Sequence, residues 1–272
     1  ASDGEASHEF GYAVAVDANT ILIGDPLDSL VDNNNGSAYF YTFSNDAWSE
    51  QQKIVASDGA ANDNFGTSVD VFEDTAFVGA RRSDSGALNS GSVYVYLRSN
   101  DNWTESQILT APDAADNDEY GVSVSVSGGY AAIGSYRDDP LGSNSGSVYI
   151  YSESDDTWAG MEKLTASDGT EFDEFGTSVD IVGGNLVVGA PKYDPGGNRT
   201  GGVYWFTESS GDWSEQQILT DSQGAAFDDF GASLSLSGNF LAVGAPLDDS
   251  DSSNTGSVVI FEFLAGSWSE AY

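Results

Sequence analysis

The sequence predicts an all-β fold, a five-bladed β-propeller of four-stranded antiparallel blades. Three observations predict it. The pairs Phe10-Gly11, Phe65-Gly66, Tyr120-Gly121, Phe175-Gly176 and Phe230-Gly231 stand 55 residues apart each time. Trp48, Trp103, Trp158, Trp213 and Trp268 keep the same spacing, as do Gly24, Gly79, Gly134, Gly189 and Gly244. A period near 50 is that of a solenoid, an array or a propeller, and no stretch carries the 3.6-residue periodicity of a helix. The 272 residues form one domain of repeats at about 1–55, 56–110, 111–165, 166–220 and 221–272.

The second repeat shows the plan. Phe65 to Val71 alternates apolar with small or polar residues, the pattern of a strand. Its apolar positions recur as Val14, Val69, Val124, Val179 and Leu234, and between them stand Ala15, Asp70, Ser125, Asp180 and Ser235. Small side chains suit an innermost strand where a propeller tapers. Glu73-Asp74, like Gly128-Gly129 and Gly183-Gly184, then reads as a hairpin turn.

The second strand is apolar throughout (Ala76 to Val78, Leu186 to Val188), as a strand covered on both faces should be. A loop rich in Asp, Asn, Ser and Gly leads to a third strand, Gly91 to Tyr96, with aromatics two apart. Trp103 to Leu109 is the fourth. In repeat five the fourth strand should be shortened, starting at Trp268. The recurring aromatics, the five Trp included, read as packing residues.

The chain carries 44 acidic residues against 8 basic ones, a net charge of −36. Such a surface repels nucleic acid and anionic lipid and attracts cations or basic partners. It also serves solubility in a salty medium, where screening over about 8 Å or less tolerates the self-repulsion. Cysteine is absent, which removes disulfides and thiolate chemistry. No run of 18 apolar residues exists to span a membrane.

The Phe-Gly pair followed by Gly189-Ala190-Pro191 and Gly244-Ala245-Pro246 resembles the FG-GAP repeats of integrin α-subunit propellers and their relatives. Gly24-Asp25-Pro26 and Gly79-Ala80 match in part, and Gly134-Ser135 keeps the glycine alone. Flanking Ala-Ser-Asp-Gly segments at Ala1, Ala56 and Ala166 are similar to an environmental, marine-type branch. The resemblance covers the whole chain and implies a propeller, with functions ranging from adhesion to lectin activity to domains attached to enzymes. Integrin-type repeats often carry an Asp-rich calcium loop between the Phe-Gly and Gly-Ala-Pro strands. Here that connection is a tight turn (Val16 to Thr20), so that site does not carry over.

Two acidic loops share one face of such a fold. The loop ahead of the first strand supplies Asp58, Asp63, Asp113, Asp118, Asp168, Asp173 and Asp228, with Asp3 in repeat one and Gln223 beside Asp228. The loop between the second and third strands supplies Asp28, Asp84, Asp138, Asp139, Asp194, Asp248 and Asp249. Carboxylates of this kind either bind Ca²⁺, which takes about six to eight oxygens, or cap their own turns. No other cofactor is implied. His8, the sole histidine, fills a slot that is Asp in the other repeats and has no visible partner in the sequence.

Five of the eight basic residues lie in the second loops: Arg81, Arg82, Arg137, Lys192 and Arg199. With Tyr136, the set Arg81, Arg82 and Arg137 forms a candidate ligand contact, since Arg and Tyr are enriched at binding hot spots; the alternative is neutralisation of nearby Asp. Sequons stand at Asn35, Asn102 and Asn198. The expected function is a non-catalytic, secreted or cell-surface adhesion module that recognises a protein or glycan. The alternative is a structural subunit of a larger assembly, filament or coat, formed with its own copies or other subunits. A glycan hydrolase with two carboxylates ranks third.

Overall fold

The computed structural model describes residues 1–4, 8–29, 33–197, 199–249 and 255–271. Sheet one holds β1 (Ala13–Asp17), β2 (Thr20–Asp25), β3 (Ser37–Ser44) and β4 (Ala47–Ile54). Sheet two holds β5 (Phe65–Phe72), β6 (Thr75–Ala80), β7 (Ser92–Ser99) and β8 (Asn102–Leu109). Sheet three holds β9 (Ser123–Ser127), β10 (Tyr130–Ser135), β11 (Ser147–Ser154) and β12 (Thr157–Leu164). Sheet four holds β13 (Ser178–Val182), β14 (Asn185–Ala190), β15 (Gly202–Ser209) and β16 (Asp212–Leu219). Sheet five holds β17 (Ser233–Ser237), β18 (Phe240–Ala245), β19 (Ser257–Leu264) and β20 (Ser267–Glu270).

Each sheet runs in sequence order, as in an up-and-down blade, and no helix occurs among the described residues. The fold is therefore a five-bladed all-β propeller, one blade per repeat. β20 has 4 described residues where the other outer strands have 8. The chain divides into two compact units, Ala1–Val126 with Ser154–Trp158, and Ser127–Glu153 with Ala159–Tyr272.

The Phe-Gly and Gly-Ala-Pro signatures have one physical cause. In the second unit, Gly176 donates its N–H to the Gly189 carbonyl of its own blade at 3.0 Å. The carbonyl of Gly231, from the following blade, lies so close over Gly189 that any Cβ there would overlap it. In the first unit Gly66 covers Gly24, and Gly121 covers Gly79, in the same way. Short parallel bridges, Gly36 to Phe65 and Gly201 to Phe230, continue the contact. The motif is thus the seam where one backbone rests on the next, and only glycine leaves room for it.

Two further columns tie neighbouring blades. Asp70, on the innermost strand β5, accepts from the Val126 N–H (2.7 Å) and the Ser125 hydroxyl (3.2 Å). Asp180 accepts from the Leu236 N–H at 2.6 Å in the second unit. Outside, Trp103 stacks flat on Phe40 (4.2 Å between ring centres, 1° between planes), and Trp213 meets Tyr130 edge-on. The cores of both units consist of such inter-sheet layers of wholly buried Val, Leu, Phe and Tyr.

Blade one departs from the expected packing. Val14 and Val16 are 67% and 68% exposed, while their counterparts Val69 and Val71 are buried. Trp48 is 43% exposed, while Trp103, Trp158, Trp213 and Trp268 are buried. The Trp column packs through the blade that precedes it. Trp48 instead contacts Phe43 of its own sheet.

Candidate functional site

The predicted carboxylates fall into two groups. Asp63, Asp118, Asp173 and Asp228 are buried, and each accepts from the backbone N–H three residues earlier, at Ala60, Ala115, Thr170 and Ala225. These are Asx-type caps that fix the loop ahead of the first strand. Their main chains also work: the carbonyls of Asp63, Asp173 and Asp228 accept from the N–H groups of Arg82, Lys192 and Leu247. One oxygen of Asp173 and one of Asp228, Oδ1 in each, is buried without a partner. Burial raises Asp63 and Asp173 from the ordinary aspartate value, although the capped N–H groups pull them down. Asp84 and Asp58 add like charge beside Asp63, as Asp168 and Asp194 do beside Asp173.

The second group sits at the loop surface. Asp58 accepts from the buried Tyr94 hydroxyl at 2.7 Å. Asp168 takes both Tyr204 (2.8 Å) and Tyr193 (2.7 Å), and Asp3 takes Tyr39 (2.9 Å) and the Lys53 ammonium (2.6 Å). Asp113 occupies the same slot and is exposed. Burial and the adjoining carboxylates drive Tyr94 and Tyr204 well above an ordinary phenol, so they stay donors at any physiological pH.

A polar groove of about 340 Å³ opens in the first unit, lined by Glu9, Tyr12, Asn34, Asn62, Arg81 and Arg82 among others. Arg81 reaches Glu119 at 3.5 Å through Nη1, and its Nε is buried without a partner. Arg82 is exposed. In the second unit the Arg137 guanidinium lies over the Tyr136 ring, 5.1 Å from its centre. Asn102 is exposed and Asn35 is buried, so only the former sequon presents its side chain among the described residues; Asn198 lies outside them.

One cluster was invisible at the level of single repeats. His8 Nδ1 lies 3.6 Å from Asp25 Oδ2 and 4.0 Å from Asp28 Oδ1. The partner that the sequence did not reveal is Asp25, which replaces the middle residue of the Gly-Ala-Pro signature. The signal was available: repeat one exchanges Asp for His in one column and Ala or Ser for Asp in another.

The family description FG-GAP repeat matches five times, at residues 1–41, 48–96, 103–151, 158–206 and 213–261. From the second match onward each runs from an outer strand into the third strand of the next sheet, so it contains the glycine seam. No curated protein matches the chain. With five matches spread over nearly its whole length, the chain belongs to the FG-GAP repeat family.

Proposed function

We propose that this propeller is a non-catalytic recognition module, displayed outside the cell, that binds a protein or glycan through its loop face. Repeats of this family generally build non-catalytic modules. The groove beside Arg81 and Arg82 carries the reading. Its side-chain amides suit hydroxyl groups, Tyr12 offers a ring face, and a guanidinium suits a carboxylate. Arg81 is engaged by Glu119 and Glu9 lines the same groove, so the exposed Arg82 is the cation left to meet an acidic ligand. Binding of polyuronate and neutral oligosaccharides, compared by calorimetry, tests it. The acidic series should bind and weaken about tenfold in Arg82→Ala, roughly the 1.4 kcal/mol of one charged contact, with Arg199→Ala unchanged. Equal or absent binding of both series, and of acidic peptides, would overturn it.

Calcium dependence belongs to the same proposal. The buried, unpartnered oxygens of Asp173 and Asp228 would gain a hard cation as partner. A saturable rise in unfolding temperature with Ca²⁺ but not Mg²⁺ supports it, and no difference from chelator assigns these residues to turn capping alone.

A second reading is a structural subunit of a larger assembly, formed with its own copies or with other subunits. A native mass well above the 28.5 kDa of one chain would support it.

A further inference from the structure

We propose that His8, Asp25 and Asp28 form a binding site for one divalent transition-metal ion of the zinc, cobalt or manganese class. The three ligand atoms lie within 4.8 Å of one another. Asp25 is wholly buried, and its two oxygens have different fates. Oδ1 accepts the Glu9 N–H at 2.9 Å, whereas Oδ2 has no hydrogen-bond partner and points at His8 Nδ1, which is also buried and unpartnered. A wholly buried carboxylate oxygen left so is costly. At 3.6 Å the two atoms are too far apart for a hydrogen bond. They are close to the separation of about 3.3 Å between two ligands on a tetrahedral ion with bonds of about 2.0 Å.

The chain builds the cluster from two short pieces. The turn Asp25-Pro26-Leu27-Asp28, closed by the Asp28 N–H on the Asp25 carbonyl at 3.3 Å, sets both carboxylates on one side. His8 comes from the loop ahead of β1, held by the neighbouring Glu9 N–H bond to Asp25. Asp28 is oriented from behind: its Oδ2 accepts from the Ser37 hydroxyl (2.6 Å), the Tyr39 hydroxyl (3.2 Å) and the Lys53 ammonium (2.5 Å). Such outer contacts are what fix metal-binding carboxylates. The Lys53 ammonium already offsets one carboxylate at Asp28 Oδ2, and the charge of Asp25 has no such partner, so a cation between Asp25 Oδ2, Asp28 Oδ1 and His8 Nδ1 is what would offset it. The imidazole nitrogen selects against Ca²⁺ and Mg²⁺, which prefer all-oxygen sites. No other repeat has this set, since the columns of His8 and Asp25 hold Asp63 with Ala80, and Asp173 with Ala190. Glu9, Pro26 and Leu27, which adjoin these ligands in the chain, line the groove of the first unit, so the ion would brace one groove wall.

His8 is the sole histidine, so its imidazole signals in a ¹⁵N-resolved NMR spectrum need no assignment. The chelator-treated chain in high NaCl is titrated with Zn²⁺, Mn²⁺ and Ca²⁺. One equivalent of Zn²⁺ should shift the His8 Nδ1 resonance, Mn²⁺ should broaden it, and Ca²⁺ should leave it in place. Calorimetry should give one Zn²⁺ site that weakens at least tenfold in Asp25→Asn and in His8→Asn, with Asp63→Asn unchanged. Far-UV circular dichroism confirms that each variant is folded. An imidazole spectrum insensitive to Zn²⁺ and Mn²⁺ in the wild-type chain would overturn the proposal without reference to any variant. So would Zn²⁺ affinity equal in wild type and folded Asp25→Asn.

Discussion

Gln52 and Trp103 exchange two hydrogen bonds: the Gln52 amide donates to the Trp103 carbonyl at 2.8 Å, and the Trp103 N–H donates to the Gln52 carbonyl oxygen at 2.9 Å. Gln107 with Trp158 and Gln217 with Trp268 repeat the exchange. A glutamine side chain here imitates a backbone amide and extends pairing from one outer strand to the next. Repeat three substitutes Glu162, whose carboxylate accepts from the Trp213 N–H at 3.3 Å and has nothing to donate.

Glu162→Gln should therefore stabilise the chain. Restoring the missing donor is worth about 1 kcal/mol, the usual net value of a hydrogen bond. Because any lost acidic charge relieves repulsion, Glu171→Gln, an exposed site, is the control. Chemical denaturation should show a gain for Glu162→Gln clearly above that of Glu171→Gln, and equal gains would remove the exchange as an explanation.

The glycine seam makes a sharper prediction. Gly189→Ala should cost about 3 kcal/mol or more, because its Cβ would overlap the Gly231 carbonyl and neither backbone can move without disturbing its sheet. Gly197→Ala meets nothing nearby and has a φ of +85°, so it should cost about 1–2 kcal/mol of backbone strain alone. The midpoint of urea unfolding measures both.

Strands, hairpins and the five-blade count were legible because each repeat restates the same local pattern, and a signal seen five times survives noise in any one copy. Contacts between columns were not legible within one copy. Asp70 and Asp180 read as small polar fillers, yet they are inter-blade acceptors. Trp48 reads as a packing residue like its four counterparts, yet burial in that column depends on the preceding blade, a tertiary fact no single repeat encodes. His8 seemed to lack a partner because Asp25 is 17 positions away and is approached only once the turn after β2 folds back.

The pH dependence of stability follows from the buried acids. Asp63, Asp173 and Asp221 are all raised, with burial as the main cause. Between the ordinary aspartate value and these raised values, the native chain holds protons that the unfolded chain has shed, so stability falls as pH rises. Asp3 behaves oppositely: its hydrogen bond from Lys53 lowers it, and its contribution is lost as pH falls through that lowered value. Unfolding temperature, measured with chelator and high NaCl, should rise as pH falls through the raised values toward the ordinary aspartate value of about 3.9, and fall again as pH drops further through the lowered value of Asp3. Asp63→Asn should flatten the rise; a slope unchanged by it would assign the effect to net charge.

Asp58 and Tyr94 offer the last test, of the exposed acids as structural rather than cation-binding groups. Wherever the third strand carries Tyr39, Tyr94 or Tyr204, the loop carries Asp3, Asp58 or Asp168 to accept from it. Repeat five has Val259 in the tyrosine column and Gln223 in the aspartate column, so both members are lost together. Tyr94 is wholly buried, and removing Asp58 takes away the carboxylate that accepts from its hydroxyl and leaves Ser83 as its remaining neighbour. Asp58→Ala should therefore cost more than Tyr94→Phe, which deletes the hydroxyl along with its need for a partner. The double variant should be no worse than Asp58→Ala alone, giving a coupling of about 1–2 kcal/mol in a denaturation cycle. Run in chelator, the cycle reports the hydrogen bond only. Additive costs there would show that Asp58 is held in this slot for another purpose, and Ca²⁺-dependent stability lost in Asp58→Ala but kept in Tyr94→Phe would identify it as a ligand.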